Sequence, residues 1–220
     1  ALAQQLARAG VMTLHAAGIA TPSGGIIAIG RKGAGKSTLT ASALQAGFRV
    51  VSDDWLLAAF EGNGLRVQRM RRFMMLRKGW ATDQLRKFLP DEFLTESKTR
   101  PRLHVFLPED DARFPAHCHV DRIFVLERGR SGRPERTRSE PLPAAVALGA
   151  LTEASMPIVL SQKLPVERDC LLPGLTRLLS QASHSVHGGT DLIAEHESAW
   201  ETLRCPVAGS STVDPTPERC

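Results

Sequence analysis

Gly30-Arg31-Lys32-Gly33-Ala34-Gly35-Lys36-Ser37 is the stretch that decides the reading of this chain. It fits G-x-x-x-x-G-K-[ST], the pattern of a phosphate-binding loop. Glycines at 30, 33 and 35 allow backbone dihedrals that other residues avoid, so that successive N–H groups can point inward at a polyphosphate. Lys36 reaches the terminal phosphates as a point charge, and the Ser37 hydroxyl is placed to ligate Mg²⁺. A helix that starts here adds the positive end of its dipole.

The flanks have the order that this mechanism needs. Gly25-Ile26-Ile27-Ala28-Ile29 is a short apolar run and reads as a buried strand. Ser37 to Ala46 reads as a helix closed by Gly47. Beyond it, Phe48-Arg49-Val50-Val51-Ser52 reads as a second strand ending in Asp53-Asp54. A phosphate loop needs an acidic partner to hold Mg²⁺ or to handle the proton of the attacking group. The aspartate pair stands where such a partner belongs.

Upstream, Val11 to Ala16 and Gly18 to Ala20 read as two short strands, and Thr21-Pro22-Ser23-Gly24 as a turn. Downstream, Trp55 to Phe60 and Leu65 to Gln68 read as a hairpin joined by Glu61-Gly62-Asn63-Gly64. Phe73 to Leu76, Leu103 to Leu107 and Arg122 to Leu126 are further strands. Helices are predicted over Thr82–Leu89, with Thr82 as cap, over Pro143–Ala154, Leu171–Ala182 and Asp191–Leu203, and a short one over Asp91–Lys98. Ala1 to Arg8 reads as a short helix without the architecture of a signal peptide. Arg128 to Ser139 reads as an exposed loop or ragged hairpin.

Composition narrows the class. The chain has 220 residues, 42% hydrophobic and 23% charged, which suits one globular domain over residues 1–204 and a disordered tail over 205–220. No apolar run is long enough to span a bilayer, so no membrane partner is expected. Cys118, Cys170, Cys205 and Cys220 form no C-x-x-C pair, which fits reduced thiols in a cytoplasm. The net charge of +5 suits phosphate substrates or an acidic partner. Arg66, Arg69, Arg71, Arg72, Arg77 and Lys78 crowd one window, readable as phosphate contacts or as a solvated basic face. Aromatic residues interleaved there are too few for a nucleic-acid platform. His117 and His119 share one face of a strand, but no third metal ligand accompanies them.

Taken together, His15, the loop from Gly30 to Ser37 and the run Ala46-Gly47-Phe48-Arg49-Val50-Val51-Ser52-Asp53-Asp54 resemble the kinase domain of the HPr kinase/phosphorylase family, and more distantly the phosphoenolpyruvate carboxykinases. The intervals from His15 to Lys36 and from Lys36 to Asp53 match that family. Close similarity covers Thr13 to Leu56. The resemblance implies an α/β architecture of the P-loop kind found in those families, a twisted mixed β-sheet with flanking helices. It implies a phosphotransferase that moves the γ-phosphate of MgATP to a Ser or Thr hydroxyl of a peptide or protein, or of a small acceptor.

Roles follow residue by residue from the resemblance. Asp53 would be the general base, with His15 beside it orienting the carboxylate. Asp54 would sit at the metal with Ser37. Lys36 and the loop from Gly30 through Arg31, Lys32, Gly33, Ala34 and Gly35 to Ser37 and Thr38 would hold the nucleotide. The Arg-Gly-x-Gly signature of the bifunctional enzymes is missing; Arg69 to Gly79 lies in its place. A compact variant is therefore expected, without the family's N-terminal domain and with a different acceptor. A homo-oligomer is left open. Two competing classes remain: a non-catalytic nucleotide-binding regulatory module, and a nucleotide-dependent nucleic-acid protein using the basic window.

Overall fold

The computed structural model describes residues 5–6, 9–62, 64–97, 101–127, 136–161 and 182–204, without the side chains of 80 and 155–161. The predicted helix over Leu171–Ala182 apart from Ala182, which is in a strand, most of the N-terminal helix, the greater part of the 128–139 stretch and the tail from 205 lie outside these residues.

Strand β3 (Gly24–Ile29) is the spine of the molecule. Its alternating side chains serve two separate cores, as the pleat requires. Ile26 and Ala28 face a core containing Leu39, Leu44, Phe48 and Trp200. Ile27 and Ile29 face another with Leu14, Leu56 and Leu151. A strand buried on both faces reads as an unbroken apolar run, and Ile26-Ile27-Ala28-Ile29 is one.

Around β3 the sheet is mixed. Strand β2 (Ala17–Thr21) pairs with it antiparallel, and β4 (Arg49–Ser52) pairs antiparallel with β2. On its other side β3 pairs parallel with β10 (His117–Leu126). The first part of β10 takes β6 (Gly64–Arg69) as its other neighbour, antiparallel, and the second part takes β12 (Ala182–His187), parallel. Strand β5 (Trp55–Glu61) joins β6 to β1 (Met12–His15), and β11 (Arg138–Pro141) covers β12. Nine strands form this sheet among the described residues. A second sheet of three, β7 (Phe73–Arg77), β9 (Arg102–Phe106) and β8 (Leu94–Glu96), packs its inner face onto the first core through Met74, Leu76, Leu103 and Val105.

Helix α1 (Lys36–Gln45) lies against β2 and β4, and also touches α2 (Trp80–Phe88), α4 (Asp191–Ala194) and α5 (His196–Arg204). Its small Thr, Ala and Ser residues let it be covered on nearly every side. Inside, the Trp200 indole N–H donates to Ser42 Oγ at 3.1 Å, which satisfies a buried donor. Gly47, at φ 77°, ends the helix, and Phe48 N–H donates back to Ala43 O at 2.9 Å. Helix α3 (Ala144–Ser161) shields the opposite core, into which it sends Leu151.

Four expectations change. The segment from Asp91 to Lys98 is a 3₁₀ turn, Asp91–Phe93, followed by β8, because Leu94 and Glu96 pair with Val105 and Leu103. So short a helix cannot compete with a sheet edge that offers ladder bonds. Helix α2 begins earlier than predicted, with Gly79 as N-cap. Thr82 sits one turn in and reaches back, accepting from Gly79 N–H at 2.9 Å and donating to Gly79 O at 2.6 Å. The last helix is broken at Glu195 (φ −137°, ψ 52°) into α4 and α5. Finally, β10 starts at His117 rather than Arg122. The stretch read as an exposed loop or ragged hairpin ends in β11, which pairs with β12.

Candidate functional site

Topology brings the glycine-rich loop of residues 30–37 and the aspartates together. Because β2 is antiparallel to both β3 and β4, those two strands run the same way with one strand between them. Their C-terminal ends therefore lie at one edge of the sheet, about 10 Å apart. The loop leaves β3 there, and α1 turns Ser37 back toward the bend that follows β4. Ser37 Oγ donates to Asp53 Oδ2 at 3.3 Å. The loop itself needs its glycines. Gly33 and Gly35 have φ of 87° and 110°, in the left-handed region. A Cβ on Gly30 would stand 2.8 Å from the Leu126 carbonyl oxygen.

Lys36 is buried, and its Nζ donates to Gly30 O at 2.6 Å. Burial lowers its pKa, and the negative charges of Asp54 and Asp53 oppose that effect. Asp53 is 4% exposed. Its Oδ1 is buried with no hydrogen-bond partner. Desolvation first, and then the neighbouring charge of Asp54, push its pKa up to about 7, against smaller lowering effects of Ser37 and Lys36.

The strand β1 ends where β4 ends. The β1–β5 register sets His15 opposite Trp55, and Ala16 N–H donates to Asp54 O at 2.8 Å. His15 Nε2 thereby lies 3.0 Å from Asp54 Oδ1, with its ring against Trp55 at 5.2 Å between centroids. Arg71 Nη1 approaches Asp54 Oδ2 at 3.7 Å. One expected pairing is thus changed. The side chain beside His15 is Asp54 rather than Asp53, because the chain bends between β4 and β5 and sends successive carboxylates to different neighbours. Ser37 donates its hydrogen bond to Asp53 while sharing the cleft with Asp54.

An open cleft of about 460 Å³ contains His15, Asp53, Asp54, Lys32, Gly33 and the residues from Gly35 to Thr38. Three loop residues do not line it. Gly30 turns its carbonyl to Lys36 Nζ. Arg31 is largely exposed and pairs with Glu153 on α3 at 2.9 Å, and Ala34 packs against the core. The remaining lining is Met75, Arg77, Gly79, Ala81 and Arg102, of which the sequence singled out Arg77 alone. Arg77 belongs to the basic window, whereas Arg102 carried no signal of its own. Only the pairing of β7 with β9 sets them face to face.

Oxygen donors on the aspartate wall suit a hard cation. Mg²⁺ keeps several waters and takes one or two carboxylates along with substrate phosphates. The Ser37 hydroxyl, the Asp54 carboxylate and the orphaned Asp53 Oδ1 are donors of that type. Among the described residues no three His, Cys, Asp or Glu side chains converge into a metal cage, at His117 and His119 or elsewhere. Nor is any helix among them long and apolar enough to cross a membrane.

No family model matches the chain, and no curated protein matches it either. Among solved structures, the HPr(Ser) kinase/phosphatase from Coxiella burnetii aligns with a TM-score of 0.41 and 12% identity, over 88% of this chain and 96% of that one.

Proposed function

We propose that this chain is an ATP-dependent phosphotransferase that moves the γ-phosphoryl group of MgATP to a Ser or Thr hydroxyl of a peptide or protein, or to a small hydroxylated acceptor. The observation that carries the reading is Asp53. It is a buried carboxyl that accepts from Ser37 Oγ, with its second oxygen buried and unpartnered, on a residue that lines the cleft. A module that only held nucleotide would need phosphate contacts, but not a carboxylate kept dry at a desolvation cost.

The residues divide the work. A general base is most effective when its pKa lies near the working pH, and Asp53 at about 7 meets that condition. Asp53 takes the acceptor's proton as the hydroxyl attacks. Lys36, the N–H groups of the loop and the N-terminus of α1 hold phosphate oxygens. Ser37 and Asp54 would hold Mg²⁺, which when bound neutralises charge developing on the transferring group. His15 fixes the orientation of Asp54, and its influence on Asp53 passes through that neighbour.

The test is transfer from labelled MgATP to a pool of Ser and Thr peptides, with wild type and Asp53→Asn compared. Wild type should label an acceptor, and the variant should be slower by about 10²–10⁴-fold while still binding a fluorescent ATP analogue. Transfer by the variant at the wild-type rate would sink the base assignment. Nucleotide binding by wild type without transfer to any acceptor would favour the regulatory-module reading.

A further inference from the structure

The small sheet turns one face to the core and the other outward. In an antiparallel pair, residues directly opposite share a face. The β7–β9 register therefore lays out three outward pairs in sequence: Phe73 with Phe106, Met75 with His104, and Arg77 with Arg102. Between them on the inward face lie Met74, Leu76, Leu103 and Val105, all buried. The arginine end of the outward strip, with Met75, lines the cleft that holds Asp53. The far end leaves Phe73 38% and Phe106 49% exposed, with the His104 ring stacked on Phe73 at 5.7 Å.

Two guanidinium groups set directly opposite each other repel, and a sheet gains nothing from that pairing. Elsewhere the basic window is paired with acids or, at Arg69, buried. Arg66 pairs with Glu61, Arg72 with Glu109, and Lys78 with Glu96, while Arg71 approaches Asp54. Arg69 is buried and donates to the Phe114 carbonyl. Among the described residues Arg77 and Arg102 have no acidic partner, and Arg102 has only a weak contact with Met75 Sδ at 3.9 Å. The arginines of the window and of β9 that are neither buried nor paired with an acid are thus a pair, confined to one end of an exposed aromatic strip and opening into the cleft. A nucleic-acid surface would need many free cations. An acidic side chain beside an apolar one needs two cations and an aromatic patch.

We propose that the outward face of β7 and β9 docks an acidic polypeptide segment. Its carboxylates lie against Arg77 and Arg102, and its apolar side chain against Phe73 and Phe106. On the phosphotransferase reading, on which this part rests, the segment presents its Ser or Thr hydroxyl to Asp53.

The experiment uses the full chain and Ser-centred peptides flanked by Asp/Glu or by Lys/Arg, with and without a Phe. Binding is read by fluorescence anisotropy, and transfer by kcat and KM separately. Wild type should bind the acid-flanked peptides about tenfold tighter or more, with the difference in transfer carried by KM. The double variant Arg77→Glu/Arg102→Glu should invert the ranking, a gain that misfolding cannot produce, and Arg77→Gln/Arg102→Gln should level it. Transfer with no charge preference would overturn the docking proposal while leaving the phosphotransferase standing. Acid-selective binding that inverts in the variant, without transfer, would support docking and remove the kinase. The proposal is also overturned if the reversal weakens binding of a fluorescent ATP analogue and leaves the peptide ranking intact. Oligothymidylate binding tighter than any peptide, and lost in the variant, would overturn it in favour of a nucleic-acid surface.

Discussion

Replacing Asp53 by Asn should change stability in a way that depends on pH. In the folded protein the carboxyl titrates near 7, against an ordinary 3.8. Between those values the native state binds more protons than the unfolded chain, so stability falls as pH rises through the window and levels off above it. At about 1.36 kcal/mol per pH unit, the interval sets a ceiling of about 4 kcal/mol lost to ionising Asp53. An Asn side chain has the shape of the protonated acid and never ionises. At pH 4 the variant should therefore melt close to wild type. At pH 8 it should be the more stable protein, by up to about 4 kcal/mol or, for a chain of this size, roughly 8–16 °C in Tm. The assay is thermal and urea unfolding at both pH values, without nucleotide or divalent ions, which would bind the ionised form. A difference between the two proteins that is the same at pH 4 and pH 8 would refute the claim that burial and Asp54 hold this proton on. So would a variant less stable than wild type at pH 8.

Two other substitutions test the frame that carries the site. Asp191 is buried and accepts from Thr137 N–H at 2.8 Å, from Thr137 Oγ1 at 2.6 Å and from Leu192 N–H at 2.9 Å. Asp191→Ala leaves these donors without their acceptor and should cost about 2–4 kcal/mol in urea unfolding, since bonds to a charged group are the stronger kind; a loss under half a kcal/mol, on the order of a surface change, would contradict the burial. In β3, a Cβ on Gly25 would stand 1.9 Å from the His119 carbonyl oxygen. Gly25→Ala should accordingly lower stability by about 1–3 kcal/mol by forcing β3 away from β10, and an unchanged Tm would mean the two backbones are not so close.

What could be read from the chain alone was whatever has its mechanism within a few neighbouring residues. Gly33, Gly35 and Lys36 carry a backbone geometry in their own types and spacing, and Ile26 to Ile29 announce a strand buried on both faces. The glycine after Ala46 ends a helix by its own φ, and Asp53 and Asp54 could be placed near the loop because one helix and one strand separate them. Tertiary structure decided what depended on partners far away in the chain. Which aspartate meets His15 is set by the β1–β5 register and the bend between β4 and β5. Whether Asp91 to Glu96 coils or extends depends on the edge that β9 offers. The pKa of Asp53 comes from the burial that the assembled cores impose, and no sequence window contains that burial. Arg77 and Arg102 become a pair only because two strands align, so the positive wall of the cleft exists in the fold and nowhere in the sequence.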